Sequence, residues 1–152
     1  MEIGFRSAVE RDFEACRRLY FSQMDETIRR LHLDPAAHAA SFREQWIPAQ
    51  VRIVQLAGKD AGWLQVIDRG EELFLAQIFI EAEFQNRGIG TFAVRHVLRE
   101  AAAKRLPVDL AVVKTNPARR LYMRLGFRTV REDDFKFYMR LDPESDAGAA
   151  AE

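Results

Sequence analysis

The sequence predicts a mixed α/β (α+β) fold: a mostly antiparallel, twisted sheet with helices on both faces, in a single domain over residues 1–141. Three observations carry this. Short apolar runs bounded by turn residues, such as 51–56 and 61–68 across Gly58-Lys59-Asp60, read as hairpin strands. Two segments, 12–31 and 91–105, repeat apolar residues every three or four positions, the helical period. The segments 73–80 and 108–113 are almost wholly apolar and flank the 91–105 helix. That is the spacing of a βαβ unit, which predicts a parallel, right-handed crossover.

The elements follow in order. Residues 3–6 read as a first strand. Phe13, Cys16, Tyr20, Met24, Ile28 and Leu31 form the apolar stripe of the first helix, with Asp12 in its first turn to suit the helix dipole. A second helix is expected over 35–45, with Asp34 as N-cap and Pro35 at the first helical position. The strands 51–56, 61–68 and 73–80 should form an antiparallel meander, with Arg69-Gly70-Glu71 as the second turn. In the helix after them, Ile89, Ala93, Val94, Val97, Leu98, Ala101 and Ala102 mark one face, and Pro107 ends it. Asn116 can cap a short helix with Pro117 at its first position, and Gly126 supplies a left-handed terminator. Residues 127–131 and 135–141 read as a final antiparallel pair, with 135–141 as an edge strand able to pair across a dimer. Residues 142–152 are small and polar and read as a flexible tail.

Composition bounds the function. The 152 residues, 48% apolar and including eleven Phe, can bury a substantial core. No apolar run approaches the ~20 residues of a membrane span. The N-terminus shows no basic region followed by an apolar stretch, and the single Cys16 cannot form an internal disulfide, so a cytoplasmic setting is expected. Cys16, on the apolar stripe, reads as a buried inert thiol. His32, His38 and His96 show no metal-ligand spacing with carboxylates and read as solvated or capping residues. The net charge is zero, yet 87–131 carries eleven Lys/Arg against two Asp/Glu, a local +9. That excess is either solvated helix surface or a surface for an anion. No basic recognition helix or zinc pattern accompanies it, which favours a small phosphorylated ligand over nucleic acid.

The feature richest in chemistry is Gln85-Asn86-Arg87-Gly88-Ile89-Gly90-Thr91, between an apolar strand and an amphipathic helix. Two glycines one residue apart at a helix entry let main-chain N–H groups converge on an anion, aided by the positive end of the helix dipole. The alternative is a plain tight turn with Arg87 in solvent. A dinucleotide-binding reading fails for want of the third glycine and of an earlier βαβ unit, and a Walker loop for want of Gly-Lys-Ser/Thr.

Gln85-x-x-Gly88-x-Gly90 after a buried strand, followed some thirty residues later by Asn116-Pro117-Ala118…Leu121-Tyr122…Leu125-Gly126-Phe127, resembles the GNAT N-acetyltransferase superfamily. The resemblance extends from the first strand to Leu141 and is densest from Leu73 onward. It implies acetyl-CoA, or another acyl-CoA, as donor and a primary amine of a small molecule or peptide as acceptor, with direct attack in a ternary complex. It places the coenzyme diphosphate on the main chain of Gln85, Asn86, Arg87, Gly88, Ile89, Gly90 and Thr91. The pantetheine arm would pair with Ile78, Phe79 and Ile80 in an opening where the two parallel strands splay apart. Asn116 and Arg119 would also contact the coenzyme, and Tyr122 would face the thioester sulfur.

The reaction accounts for these residue types. Aminolysis of a thioester builds negative charge on the carbonyl oxygen, which the N–H of Phe79 or Ile80 can bind; one such donor is worth ~3–4 kcal/mol elsewhere. A phenol can protonate the departing thiolate, a contribution of ~10²–10⁴-fold where it operates. The general base stays unassigned, because Ala76 and Gln77 stand where a carboxylate would serve. Glu81 and Glu83 lie near the loop, and Gln77 could orient a water. Tyr20, Phe21, Met24, Asp25, Glu26, His32, Phe42 and Trp46 are candidates for the acceptor pocket, Asp25 and Glu26 by attracting a cationic amine. Two rivals remain: a non-catalytic acyl-CoA-binding module, which the missing base favours, and a nucleic-acid binder using the +9 segment. The favoured reading expects no nucleic-acid, membrane or metal partner and a monomer or homodimer.

Overall fold

The computed structural model describes residues 2–143, so most of the expected 142–152 tail lies outside the described residues. Seven strands form one mixed, mostly antiparallel sheet in the order β1-β2-β3-β4-β5-β7-β6. They are β1 (Ile3–Ser7), β2 (Val51–Leu56), β3 (Lys59–Asp68), β4 (Leu73–Ile80), β5 (Val108–Val113), β6 (Arg128–Glu132) and β7 (Lys136–Leu141). The helices are α1 (Phe13–Arg30), α2 (Pro35–Gln45), α3 (Ile89–Ala103) and α4 (Ala118–Arg124). Contacts group the chain into two compact units. The first comprises residues up to Gln65 together with Gln77–Gly90; the second comprises Val66–Ala76 together with residues from Thr91 onward.

In the first unit β1 pairs antiparallel with β2, Ile3 opposite Leu56 and Ser7 opposite Arg52, and β2 pairs antiparallel with β3. The turn between β2 and β3 is tighter than Gly58-Lys59-Asp60 suggested. Ala57 and Gly58 take positive φ (51° and 83°), and β3 already begins at Lys59. Asp60 is drawn into the strand by pairing with Gln55 and by the Arg6 guanidinium, which also grips Asp12 at 3.0 Å. α1 buries Cys16, Leu19, Tyr20 and Ile28, and ends as His32 takes φ 55°. α2 starts as expected: Pro35 is its first residue, and the Asp34 carboxylate accepts from the Ala36 N–H.

The core of this unit is aromatic. Tyr20, Phe42, Trp46 and Trp63 are buried in one cluster, with Phe13, Phe21, Met24 and Phe79 packed against it. The Tyr20 ring lies 4.7 Å from Phe42 and 5.2 Å from Phe79 between centroids, within the range where aromatic pairs attract. Gly62 on β3 is fixed by sterics rather than by dihedral freedom. A Cβ there would overlap the Phe79 carbonyl oxygen and crowd Cα and Cδ1 of Ile80. Because the main obstacle is main chain, no rotamer change relieves it. Gly62→Ala is therefore expected to cost about 3 kcal/mol, the upper end of overpacking, measured as a fall in the denaturation midpoint. An unchanged midpoint would show that β4 has room to move.

In the second unit β4 and β5 run parallel, with Leu73, Phe74 and Leu75 opposite Val108, Asp109 and Leu110, as the βαβ spacing predicted. β5 pairs antiparallel with β7 over its whole length, and β7 with β6. β7 thus lies between β5 and β6, which corrects the expectation that 135–141 forms the edge: the edge strand is β6, exposed throughout. The buried Leu73, Leu75, Val94, Val97, Val108, Leu110, Val112, Tyr122, Phe127 and Met139 supply this unit's apolar interior. α3 opens two residues before the expected 91, because Ile89 and Gly90 already adopt the first helical turn.

Candidate active site

Between β4 and α3 the chain passes through a single 3-10 turn, Ala82–Phe84, and then Gln85 in extended conformation. Asn86 and Gly88 both take left-handed φ, 63° and 80°, on either side of Arg87. Gly88 meets that demand without strain, and Asn is among the few other residues that tolerate it. Gly90 has ordinary φ, so its backbone does not require a glycine. A Cβ at Gly88 or at Gly90 would meet nothing within 4 Å. Two glycines whose missing Cβ atoms face open space thus stand at the start of a 15-residue helix whose first four N–H groups lack intrahelical acceptors, the geometry an anion cradle needs. Ile89 is buried at 1% and pins the loop to the core, while Arg87 is exposed with its guanidinium 5.7 Å from the Phe84 ring.

The strand end leading into this loop is held by side chains. The Ile80 carbonyl accepts from Gln23 Nε2 of α1 at 2.7 Å and from Gln85 Nε2 at 3.0 Å. The Glu81 N–H bonds the Ala61 carbonyl at 2.8 Å, and the Glu81 carboxylate pairs with Arg18 of α1 at 2.8 Å. Gln85 is thus occupied in shaping the loop. Glu81, named above as an acid near the loop, has an arginine partner. Ile78, Phe79 and Ile80 are half-buried, and the Phe79 ring contacts Trp63 and Tyr20.

In the second unit Asn116 is exposed. Its Oδ1 accepts from the Ala118 N–H at 2.9 Å, and its own N–H bonds the Val113 carbonyl at 2.9 Å. The N-cap position is Pro117, one residue later than expected, so Asn116 orders the approach to α4 as an Asx turn. Its side-chain NH₂ has no partner among the described residues. Arg119 lays its guanidinium over the Phe137 ring at 3.9 Å, and its buried Nε also lacks a partner. Gly126 takes φ 106° and ends α4.

Tyr122 on α4 is 7% exposed, edge-on to Phe127 at 5.8 Å. A core tyrosine normally satisfies its hydroxyl on nearby backbone. This one makes no side-chain hydrogen bond among the described residues, yet its oxygen is not one of the fully buried unpartnered atoms, and burial of the ring pushes its phenol up to about 12. The group is therefore protonated at neutral pH, and the same burial makes it a weaker acid than a solvated tyrosine.

Of the acceptor-pocket candidates, Tyr20, Phe42 and Trp46 belong to the buried core of the first unit, with Phe21 and Met24 packed against it. Asp25, Glu26 and His32 are exposed, and Glu26 pairs with Arg30 at 2.7 Å. His38 departs from its expected solvated or capping role: its Nε2 lies 2.6 Å from the Tyr20 hydroxyl, with the two rings stacked. Cys16 is 2% exposed, and burial pushes its thiol up to about 12, an inert state. Part of the +9 segment's charge is paired, Lys114 with Glu132 at 2.6 Å and Arg128 with Asp142 at 2.8 Å. No helix among the described residues is long and apolar enough to cross a membrane.

The glycine cradle at the entry to α3, the buried Tyr122 and the mixed sheet around one parallel pair now meet a direct match. Residues 11–127 fit the acetyltransferase (GNAT) family. The chain belongs to the GNAT family. The match runs through both units. Solved GNAT structures share the fold. One is the PaiA N-acetyltransferase of Thermoplasma acidophilum in complex with coenzyme A (14% identity, 93% of this chain and 99% of that one, TM-score 0.68). Another is the ribosomal-protein-S18-alanine N-acetyltransferase of Escherichia coli (19% identity, 95% and 96%, TM-score 0.70). A third is an N-acetyltransferase of Staphylococcus aureus (14% identity, 91% and 100%, TM-score 0.71). Among curated proteins the human cysteine-rich protein 2-binding protein is 33% identical over 72 residues, 47% of this chain and 9% of that protein. This GNAT chain therefore spans only a small part of that relative's length.

Proposed function

We propose that this GNAT protein transfers an acetyl group from acetyl-CoA to a primary amine of a small molecule or peptide, by direct attack in a ternary complex. The observation that carries the reading is Tyr122, a buried phenol held protonated and without a hydrogen-bond partner among the described residues, four residues before the terminator Gly126. The thiolate that departs in acyl transfer from a thioester benefits from a proton donor of that kind.

The residues present fit the coenzyme. Main-chain N–H groups of Asn86 to Thr91 would hold the diphosphate, with Gly88 and Gly90 leaving room for it, while the Gln85 N–H bonds the Ala82 carbonyl at 3.3 Å. Ile78, Phe79 and Ile80 would align the pantetheine arm, and the NH₂ of Asn116 and the guanidinium of Arg119 would contact the same ligand. When bound, the coenzyme supplies an activated acyl carbon. The protein's part is to fix that group, to bind the developing oxyanion at the N–H of Phe79 or Ile80, and to deliver the Tyr122 proton to sulfur. β4 carries no carboxylate and the general base stays unassigned; ordered water, oriented by Gln77, would be one route for the amine's proton.

A screen of primary amines, following release of free thiol, tests the reading. Turnover with at least one amine is expected. Tight binding of acetyl-CoA with no turnover on any amine would replace it with a non-catalytic acyl-CoA-binding module.

A further inference from the structure

Building on the coenzyme site just proposed, we infer that Gln23 on α1 is a positioning residue for the coenzyme loop, acting through the Ile80 carbonyl that it shares with Gln85. That carbonyl lies where β4 gives way to the loop. An oxygen with two lone pairs can accept two donors, and here both come from side-chain amides, Gln23 at 2.7 Å and Gln85 at 3.0 Å. Gln85 is the first residue of the loop motif, so its bond folds the loop entrance back onto the strand end. Gln23 holds the same oxygen from a helix.

The rest of the Ile80–Glu81 peptide is fixed as firmly. Its N–H bonds Ala61 on β3, the Glu81 side chain pairs with Arg18 on α1, and Gly62 leaves space for the adjoining Phe79 carbonyl. Rotation of this peptide would carry the Gln85 anchor with it and turn the main-chain N–H groups that Asn86 and Gly88 orient. α1 therefore sets the loop's attitude without touching the ligand. The same helix buries Tyr20 in the aromatic core, so the placement of α1 that fixes Gln23 is itself held by packing.

The Gln23 side chain is exposed, and one neutral hydrogen bond open to solvent is worth about two- to five-fold in affinity. Gln23→Met keeps the length and helix propensity but removes the donor; Gln23→Glu sets a carboxylate against the carbonyl. Titration calorimetry with coenzyme A alone, on wild type, Gln23→Met, Gln85→Met and the double variant, decides the matter. Gln23→Met is expected to weaken coenzyme A about two- to five-fold, with the thermal midpoint within about 2 °C of wild type. KM for acetyl-CoA should rise while kcat holds, and Gln23→Glu should weaken binding further. Because both amides act on one oxygen, the loss in the double variant should differ from the product of the single losses. Equal affinity of wild type and Gln23→Met, or losses that simply multiply, would overturn the inference while leaving the coenzyme site intact. A wild type that takes up no coenzyme A would overturn both.

Discussion

Tyr122→Phe is expected to lower kcat by ~10²-fold or more, within the range of a lost general acid, while coenzyme A affinity stays within about twofold of wild type. The substitution removes one oxygen from a buried ring. That oxygen makes no hydrogen bond among the described residues, so its loss leaves no orphaned partner and the protein should be at least as stable. Activity should therefore fall without a fall in the thermal midpoint, a combination that a purely structural tyrosine would not give. The phenol's position near pH 12 adds a second signature: the limb of the rate profile governed by this acid should lie far above neutrality. A kcat equal to wild type would remove Tyr122 from the chemistry.

Gly90→Val is expected to abolish detectable coenzyme A binding, a loss of ~10²-fold or more, in a protein that still folds. The two loop glycines differ as test sites. Gly88 sits at φ 80°, where any side chain is strained, so a defect there mixes backbone and ligand effects. Gly90 has ordinary φ, and a Cβ would enter open space, so the fold tolerates it. The lost binding would then report occupation of the space that the diphosphate needs. Calorimetry for the ligand and circular dichroism for the fold check this together, and wild-type affinity in Gly90→Val would count against the cradle.

Local physics decided which parts of this molecule were readable from its sequence. Asp34-Pro35 marks a helix start because the cap and the fixed φ act within a few residues, and α2 begins there. β4 was legible at both ends because its apolar run, interrupted only by Gln77, stops at glutamates on either side. The site motifs stood out because positive φ at Gly88 and Gly126 restricts residue choice at those positions.

Long-range pairing hid the rest. Nothing local to 128–141 reveals that β7 inserts between β5 and β6; the deciding bonds run from Val108–Val113, some thirty residues earlier. Asp60 reads as a turn residue until Arg6, 54 positions away, claims its carboxylate. Gln23 gave no signal, since an exposed glutamine on a helix is ordinary, and its importance arises only from the carbonyl that the fold brings to it. His38 was misread for the same reason: its partner, Tyr20, lies on another helix.

The measurement that bears most directly on the whole account is a crystal structure of the protein grown with coenzyme A. The account predicts the diphosphate on the main-chain amides of Asn86 to Thr91, with the thiol end reaching Tyr122. A coenzyme seated elsewhere, with that turn empty, would contradict it.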